Sequence, residues 1–131
     1  MFASPLRQQI ARRLFSTKVS RPFKDSKILL TGSQGQIGVP LADALAKELG
    51  ADNVIATDVG HCKFEFPCRY ESLDVTDKDH YNKLVKDNGI TYIVHLAGIL
   101  SALGEHNPDL AIDVNVFGAC NALKIAQDND C

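Results

Sequence analysis

The sequence predicts an α/β fold, a doubly wound parallel sheet of about four strands, on three observations. From Ser26 onward short apolar runs alternate with longer amphipathic ones; glycines at spacing three and three follow the first run directly; and an acidic residue closes the second run. The order strand, helix, strand, strand, helix, strand, helix requires parallel strands joined by crossovers. A flavodoxin-like sheet shares that alternation, and the chemistry of the first turn separates the two.

Residues 27–31 (KILLT) read as a buried strand, and after a Gly-rich turn residues 39–49 read as a helix. Ile37, Leu41, Ala44, Leu45 and Leu49 are expected along one side of it, with Gly50 as its stop. Residues 53–57 (NVIAT) form the second strand and residues 70–73 a short third one. A helix over 79–88 ends at Asn88-Gly89, and residues 90–96 (ITYIVHL) carry the strongest strand signal in the chain. Residues 107–128 read as one long helix, with Pro108 early, where its missing N–H costs little. There is no internal repeat.

The chain has 131 residues, 45% hydrophobic and 23% charged, which suits one globular core. No stretch approaches the roughly 20 apolar residues of a membrane-spanning helix. The formal net charge of −2 conceals an asymmetry: residues 1–24 hold six Lys or Arg and no acid, leaving eight basic against sixteen acidic residues in 25–131. That acidic balance argues against a nucleic-acid-binding surface. Residues 1–23 are basic, Ser-containing and acid-free, and Phe2, Leu6, Ile10 and Leu14 make one apolar stripe on a helix. This describes a mitochondrial transit peptide and an address in the mitochondrial matrix; a disordered basic tail or a membrane-surface helix are the alternatives. Residues 24–131 are left for the fold. The four cysteines form no C-x-x-C pair and no zinc-ligand spacing, so free thiols and no metal are expected.

The first turn carries the chemistry. Gly32-Ser33-Gln34-Gly35-Gln36-Ile37-Gly38 lies between an apolar strand and a helix, the context of a dinucleotide fingerprint and of a Rossmann-type sheet. The first glycine permits a tight turn, the second lets a pyrophosphate approach the backbone and the third lets the helix pack on the sheet. No Gly-Lys-Ser/Thr follows, which excludes a P-loop. Asp58, twenty residues after Gly38 and followed by Val59-Gly60, offers a carboxylate to both ribose hydroxyls and repels a 2′-phosphate, so NAD is the expected cofactor. No Arg or Lys lies immediately beside it to receive a phosphate; an Asp that merely caps a turn is the bland alternative.

Asp74-Val75 follows the third strand as an acid and an apolar side chain that bracket the adenine, or as a plain loop. His95-Leu96-Ala97-Gly98 ends the fourth strand, where ligands bind in open α/β sheets. Small residues there admit a cofactor closely; His95 reads as a packed strand residue rather than a catalyst. Ser101 is a candidate substrate contact. Asn115, between apolar helix neighbours, either braces the fourth-strand loop or caps a local network.

GSQGQIG after KILLT, Asp58 after NVIAT, LDVTD, HLAGILSALGE and DVNVFGACNALKIA together resemble the extended short-chain dehydrogenase/reductase superfamily, which includes nucleotide-sugar epimerases. Within it GSQGQIG, LSALGE and the basic leader are most similar to the mitochondrial short-chain L-threonine 3-dehydrogenases. Arg13-Leu14-Phe15-Ser16 also resembles a matrix-protease site with the cut after Phe15. The resemblance covers residues 26–131, the amino-terminal part of that family's nucleotide-binding domain. It implies NAD-dependent oxidation of L-threonine to 2-amino-3-ketobutyrate by a homodimeric parent protein. A sugar-nucleotide epimerase or dehydratase and a non-catalytic NAD-binding module are the alternatives. The superfamily's catalytic Tyr-x-x-x-Lys pair has no counterpart: Tyr70, Tyr81 and Tyr92 are followed four residues on by Asp74, Val85 and Leu96. The chain is therefore expected to be an amino-terminal fragment, inactive alone, whose catalytic pair lies beyond Cys131.

Overall fold

The structure is a computed structural model that describes residues 22–131. The transit-peptide reading thus falls outside the described residues, apart from Pro22 and Phe23.

The core is one sheet of four parallel strands: β1 (Ile28–Thr31), β2 (Val54–Asp58), β3 (Arg69–Ser72) and β4 (Tyr92–His95), in the order β3-β2-β1-β4. Side chains alternate between its faces, as the pleat requires. Leu29 and Ile55 point to one side, where they pack with Tyr81, Leu84, Val85 and Ile125; Ile28 and Val54 point to the other, against Leu45 and Leu49. Helices therefore cover both faces. α1 (Gly38–Leu49) lies on the second side, and α2 (Lys78–Asn88) and α5 (Ala119–Asp128) lie on the first. This is the doubly wound arrangement that the alternation of runs predicts.

The local chemistry follows the sequence closely. Asp77 caps α2 by accepting from the His80 N–H at 3.0 Å, and Gly89 ends it in the left-handed region at φ 61°. Asn107 caps the short helix α4 (Pro108–Ile112), with Pro108 in its first turn. β2 extends one residue further than the apolar run, so Asp58 is its last residue.

Three expectations need correction. The buried stripe of α1 is Gly38, Ala42, Leu45, Ala46 and Leu49; Ile37 precedes the helix and is 66% exposed, and Ala44 faces solvent. Small residues meet the sheet because the helix lies close to it. The strand read over 90–96 is only Tyr92–His95, since the N–H groups of both Thr91 and Tyr92 turn to the Lys27 carbonyl. Finally, residues 108–128 do run as one helical stretch, but Asp113–Gly118 between α4 and α5 is π-helical, and a separate short helix, α3 (Ser101–His106), precedes it. Gly118 closes that segment against Val75: a Cβ there would lie 2.7 Å from the Val75 side chain. No helix among the described residues is long and apolar enough to cross a membrane.

Candidate nucleotide-binding cleft

The chain runs β1–α1–β2 to one side of β1 and then returns to place β4 on its other side, so the strand order reverses between β1 and β4. Ligands of open α/β sheets bind outside the carboxyl ends of the strands at such a point. A cleft of about 520 Å³ opens there. It brings together Gly32, Gln34 and Gly35 from the first turn, Asp58 and Val59 from β2, Asp74 and Val75 after β3, and Leu96, Ala97 and Gly98 after β4.

Each wall has a cause. Gly32 has φ +70°, and a Cβ on it would sit 2.6 Å from the Ala97 nitrogen, so the glycine turn is wedged against the end of β4. Gly38 is tighter still, with the Gly32 carbonyl oxygen 2.3 Å from where its Cβ would be. Gly35, by contrast, has only the Gly32 oxygen at 3.2 Å and is exposed, leaving its backbone open to the cleft side of the turn. The amides of Gln36 and Ile37 find no backbone acceptor among the described residues. No acidic residue occupies the first turn of α1. Free amides at a helix N-terminus whose first turn holds no carboxylate suit a phosphate.

Asp58 is held by two backbone donors: Gln34 N–H to Oδ2 at 2.8 Å and Val59 N–H to Oδ1 at 2.8 Å. Each oxygen retains a lone pair, so the carboxylate is oriented and still able to accept from two hydroxyls. Asp74 accepts from the Thr76 N–H at 2.9 Å and the Thr76 hydroxyl at 2.7 Å, which fixes the loop after β3. Val75 is buried beneath it.

At the end of β4 the Thr31 hydroxyl accepts from the Ala97 N–H at 3.3 Å and lies 2.9 Å from His95 Nδ1, while His95 Nε2 is buried without a partner among the described residues. Burial also lowers the His95 pKa. His95 is thus a packed brace of the β1–β4 seam. Asn115 is a brace as well: its Oδ1 accepts from the Ile99 N–H at 2.7 Å and its Nδ2 donates to the Ile99 carbonyl at 2.9 Å. Of the two readings of this amide, the structure shows the one that fastens the fourth-strand loop.

Several residues singled out in the sequence stand off the cleft. Ser33 is fully buried, its N–H bonded to the Thr57 carbonyl at 3.0 Å and its hydroxyl without a partner. The Gln36 and Ile37 side chains and Gly60 face solvent. Ser101 begins α3, whose Leu103 lines the cleft. The sequence reading missed Lys63, Leu73, Ile99, Leu110 and Val114, which also line it. Leu110 and Val114 carry no signal beyond the spacing of the long helix, and Leu73 and Ile99 none beyond lying just after a strand. Lys63 is brought in by a loop whose path depends on long-range hydrogen bonds. No group of three or more His, Cys, Asp or Glu that could hold a metal gathers among the described residues, and Cys62, Cys68 and Cys120 are free thiols.

Residues 28–131 match the NAD dependent epimerase/dehydratase family. The chain belongs to that family. Over 104 residues it is 42% identical to an uncharacterized epimerase/dehydratase of Staphylococcus aureus strain USA300, covering 77% of this chain and 32% of that protein. The L-threonine dehydrogenase of Clostridium difficile superposes with a TM-score of 0.76 at 40% identity, over 81% of this chain and 34% of that one. The GalE-like L-threonine dehydrogenase of Cupriavidus necator in its holo form gives 0.75 at 38% identity, over 79% and 34%. The chain therefore spans about a third of the length of the relatives it matches. Its family uses NAD, and the open Gly35 backbone, the free helix-terminal amides and the oriented Asp58 carboxylate fit that dinucleotide.

Proposed function

We propose that the protein represented here is an NAD-dependent L-threonine 3-dehydrogenase of the short-chain type, and that these 131 residues supply its adenosine diphosphate half-site. The observation that carries the substrate is the 40% identity to the Clostridium difficile L-threonine dehydrogenase over 81% of the chain. Bound NAD would supply the hydride acceptor. The chain's own part is to position it. Gln36 and Ile37 amides hold the pyrophosphate at the N-terminus of α1, Asp58 accepts from the ribose hydroxyls, Asp74 and Val75 flank the adenine, and Leu96 to Gly98 give the cofactor close backbone approach.

Proton removal from a substrate hydroxyl needs a base of suitable pKa within hydrogen-bond reach. The described tyrosines do not offer one: Tyr81 is buried with its pKa pushed far up, and Tyr70 is raised by burial and then by the Asp58 charge. Neither they nor Tyr92 has a lysine four residues on. These residues alone therefore bind the dinucleotide without oxidising threonine. The basic, acid-free leader supports import of the parent protein into the mitochondrial matrix, and a fusion of residues 1–23 to a fluorescent reporter tests that address.

The test of function is to assay threonine-dependent NADH formation by the full-length protein and by the 131-residue chain. Turnover by the former and NAD binding without turnover by the latter is the expected pair. Sugar-nucleotide epimerisation by the full-length protein, with no threonine oxidation, would replace this reading with the epimerase alternative.

A further inference from the structure

The loop between β2 and β3 is fastened across the glycine turn by side chains. Gln34 Nε2 donates to the His61 carbonyl and to the Tyr70 hydroxyl, each at 3.2 Å, while Gln34 Oε1 accepts from the Lys63 N–H at 2.6 Å. The Tyr70 hydroxyl donates toward the Gly60 and Asp58 carbonyls at 3.0 and 3.2 Å. Its ring stacks on Phe66 at 5.9 Å with 4° between the planes. Lys63 is thereby anchored at its backbone among the residues that line the same cleft as Asp58 and Asp74. It is the only Lys or Arg among the described residues that line it. The ion pairs of the described residues, which join Lys47 to Asp43, Arg69 to Glu71, Lys83 to Asp87 and Lys124 to Asp128, leave its ammonium out.

A ribose-binding acid with no cation nearby rejects a 2′-phosphate by charge alone, whereas sites that take NADP place a cation beside the ribose. This cleft holds both. A phosphomonoester carries nearly two negative charges at neutral pH, and an ammonium on a flexible four-carbon stem answers it as a point charge. We propose that Lys63 sets this chain's discrimination between the two nicotinamide dinucleotides: its ammonium offsets the repulsion between Asp58 and a 2′-phosphate, so that NADP is admitted at reduced affinity. This rests on the cleft being the dinucleotide site.

The probes that isolate the effect are 5′-AMP and 2′,5′-ADP, which differ only in the 2′-phosphate, backed by NAD and NADP themselves. Titrating each into the 131-residue chain should show binding of both nucleotides, with 5′-AMP the tighter. In Lys63→Gln the loss for 2′,5′-ADP should exceed the loss for 5′-AMP by about fivefold, in Lys63→Glu by about tenfold, and Lys63→Arg should restore the native ratio. Added salt should shrink the native advantage of Lys63. Lys63 is exposed, and unfolding curves matching those of the native chain will show that its variants remain folded. Equal losses for the two nucleotides, no loss for either, or no binding of 2′,5′-ADP by a native chain that binds 5′-AMP would overturn the role of Lys63. A native chain that binds neither 5′-AMP nor NAD would overturn the cleft assignment, and this inference with it.

Discussion

The two sides of β1 are built to different standards. On the β2 side every residue of β1 and the first four of β2 are buried, and the glycine turn is so tight that Gly38 leaves no room for a methyl group. On the β4 side all four strand residues are only half-buried, and the helix that covers it exposes Val116 at 50%, Phe117 at 56% and Leu123 at 74%. β4, like β3, is an edge strand of this sheet. The contrast shows that hydrophobic pattern and packing are separate quantities. The run ITYIVHL reads as the strongest strand, yet its surroundings leave it half-buried.

That contrast is sharpest in the response to substitution. Gly38→Ala should be the most damaging change, costing about 3 kcal/mol in urea unfolding, because the atoms its Cβ meets are backbone and cannot step aside. A loss near zero would mean that the turn yields and is not the rigid side. Asn115→Ala removes both bonds to Ile99 and should cost about 1 kcal/mol of stability while weakening NAD binding more than that loss explains, since the freed loop borders the cleft.

Acidification acts through His95 on the seam between the two sides. Its pKa is lowered by burial in the folded protein, so below the unfolded value of about 6.5 the unfolded chain binds the extra proton. Stability should be intact above about pH 6.5, decline as pH falls through it, and level off once pH passes the folded pKa. Replacing His95 with Gln should flatten that part of the profile, as read from urea midpoints across the range. The smallest effect is expected from Leu123→Ser, within about 0.5 kcal/mol, because that side chain is 74% exposed; a larger loss would show that the β4 side is sealed after all.

Much of the rigid side was legible in the sequence because its determinants are local. A strand, three spaced glycines and a helix follow one another without a gap, and Asp58 lies at the end of the next strand. Asn115 was legible through the cost of leaving an amide unsatisfied. What escaped the sequence depends on contacts between distant segments. The burial of Ala42 and Ala46 in place of Ile37 and Ala44 follows from how closely α1 approaches the sheet, which residue type alone does not report. The fit of Gly118 against Val75, and the Asn115 bond to Ile99 just before α3, likewise join segments far apart in sequence. Lys63 lies five residues past Asp58, and only the Gln34 and Tyr70 hydrogen bonds bring it to the cleft.

Calorimetric titration of NAD into the 131-residue chain and into Asp58→Ala asks whether the cleft at the β1–β4 reversal is a dinucleotide site oriented by Asp58. Saturable binding of one NAD per chain is expected, with an affinity about tenfold weaker in the variant, where the ribose hydroxyls of NAD lose a charged acceptor. Absence of saturable binding by the native chain, or equal affinity in Asp58→Ala, would rule that assignment out.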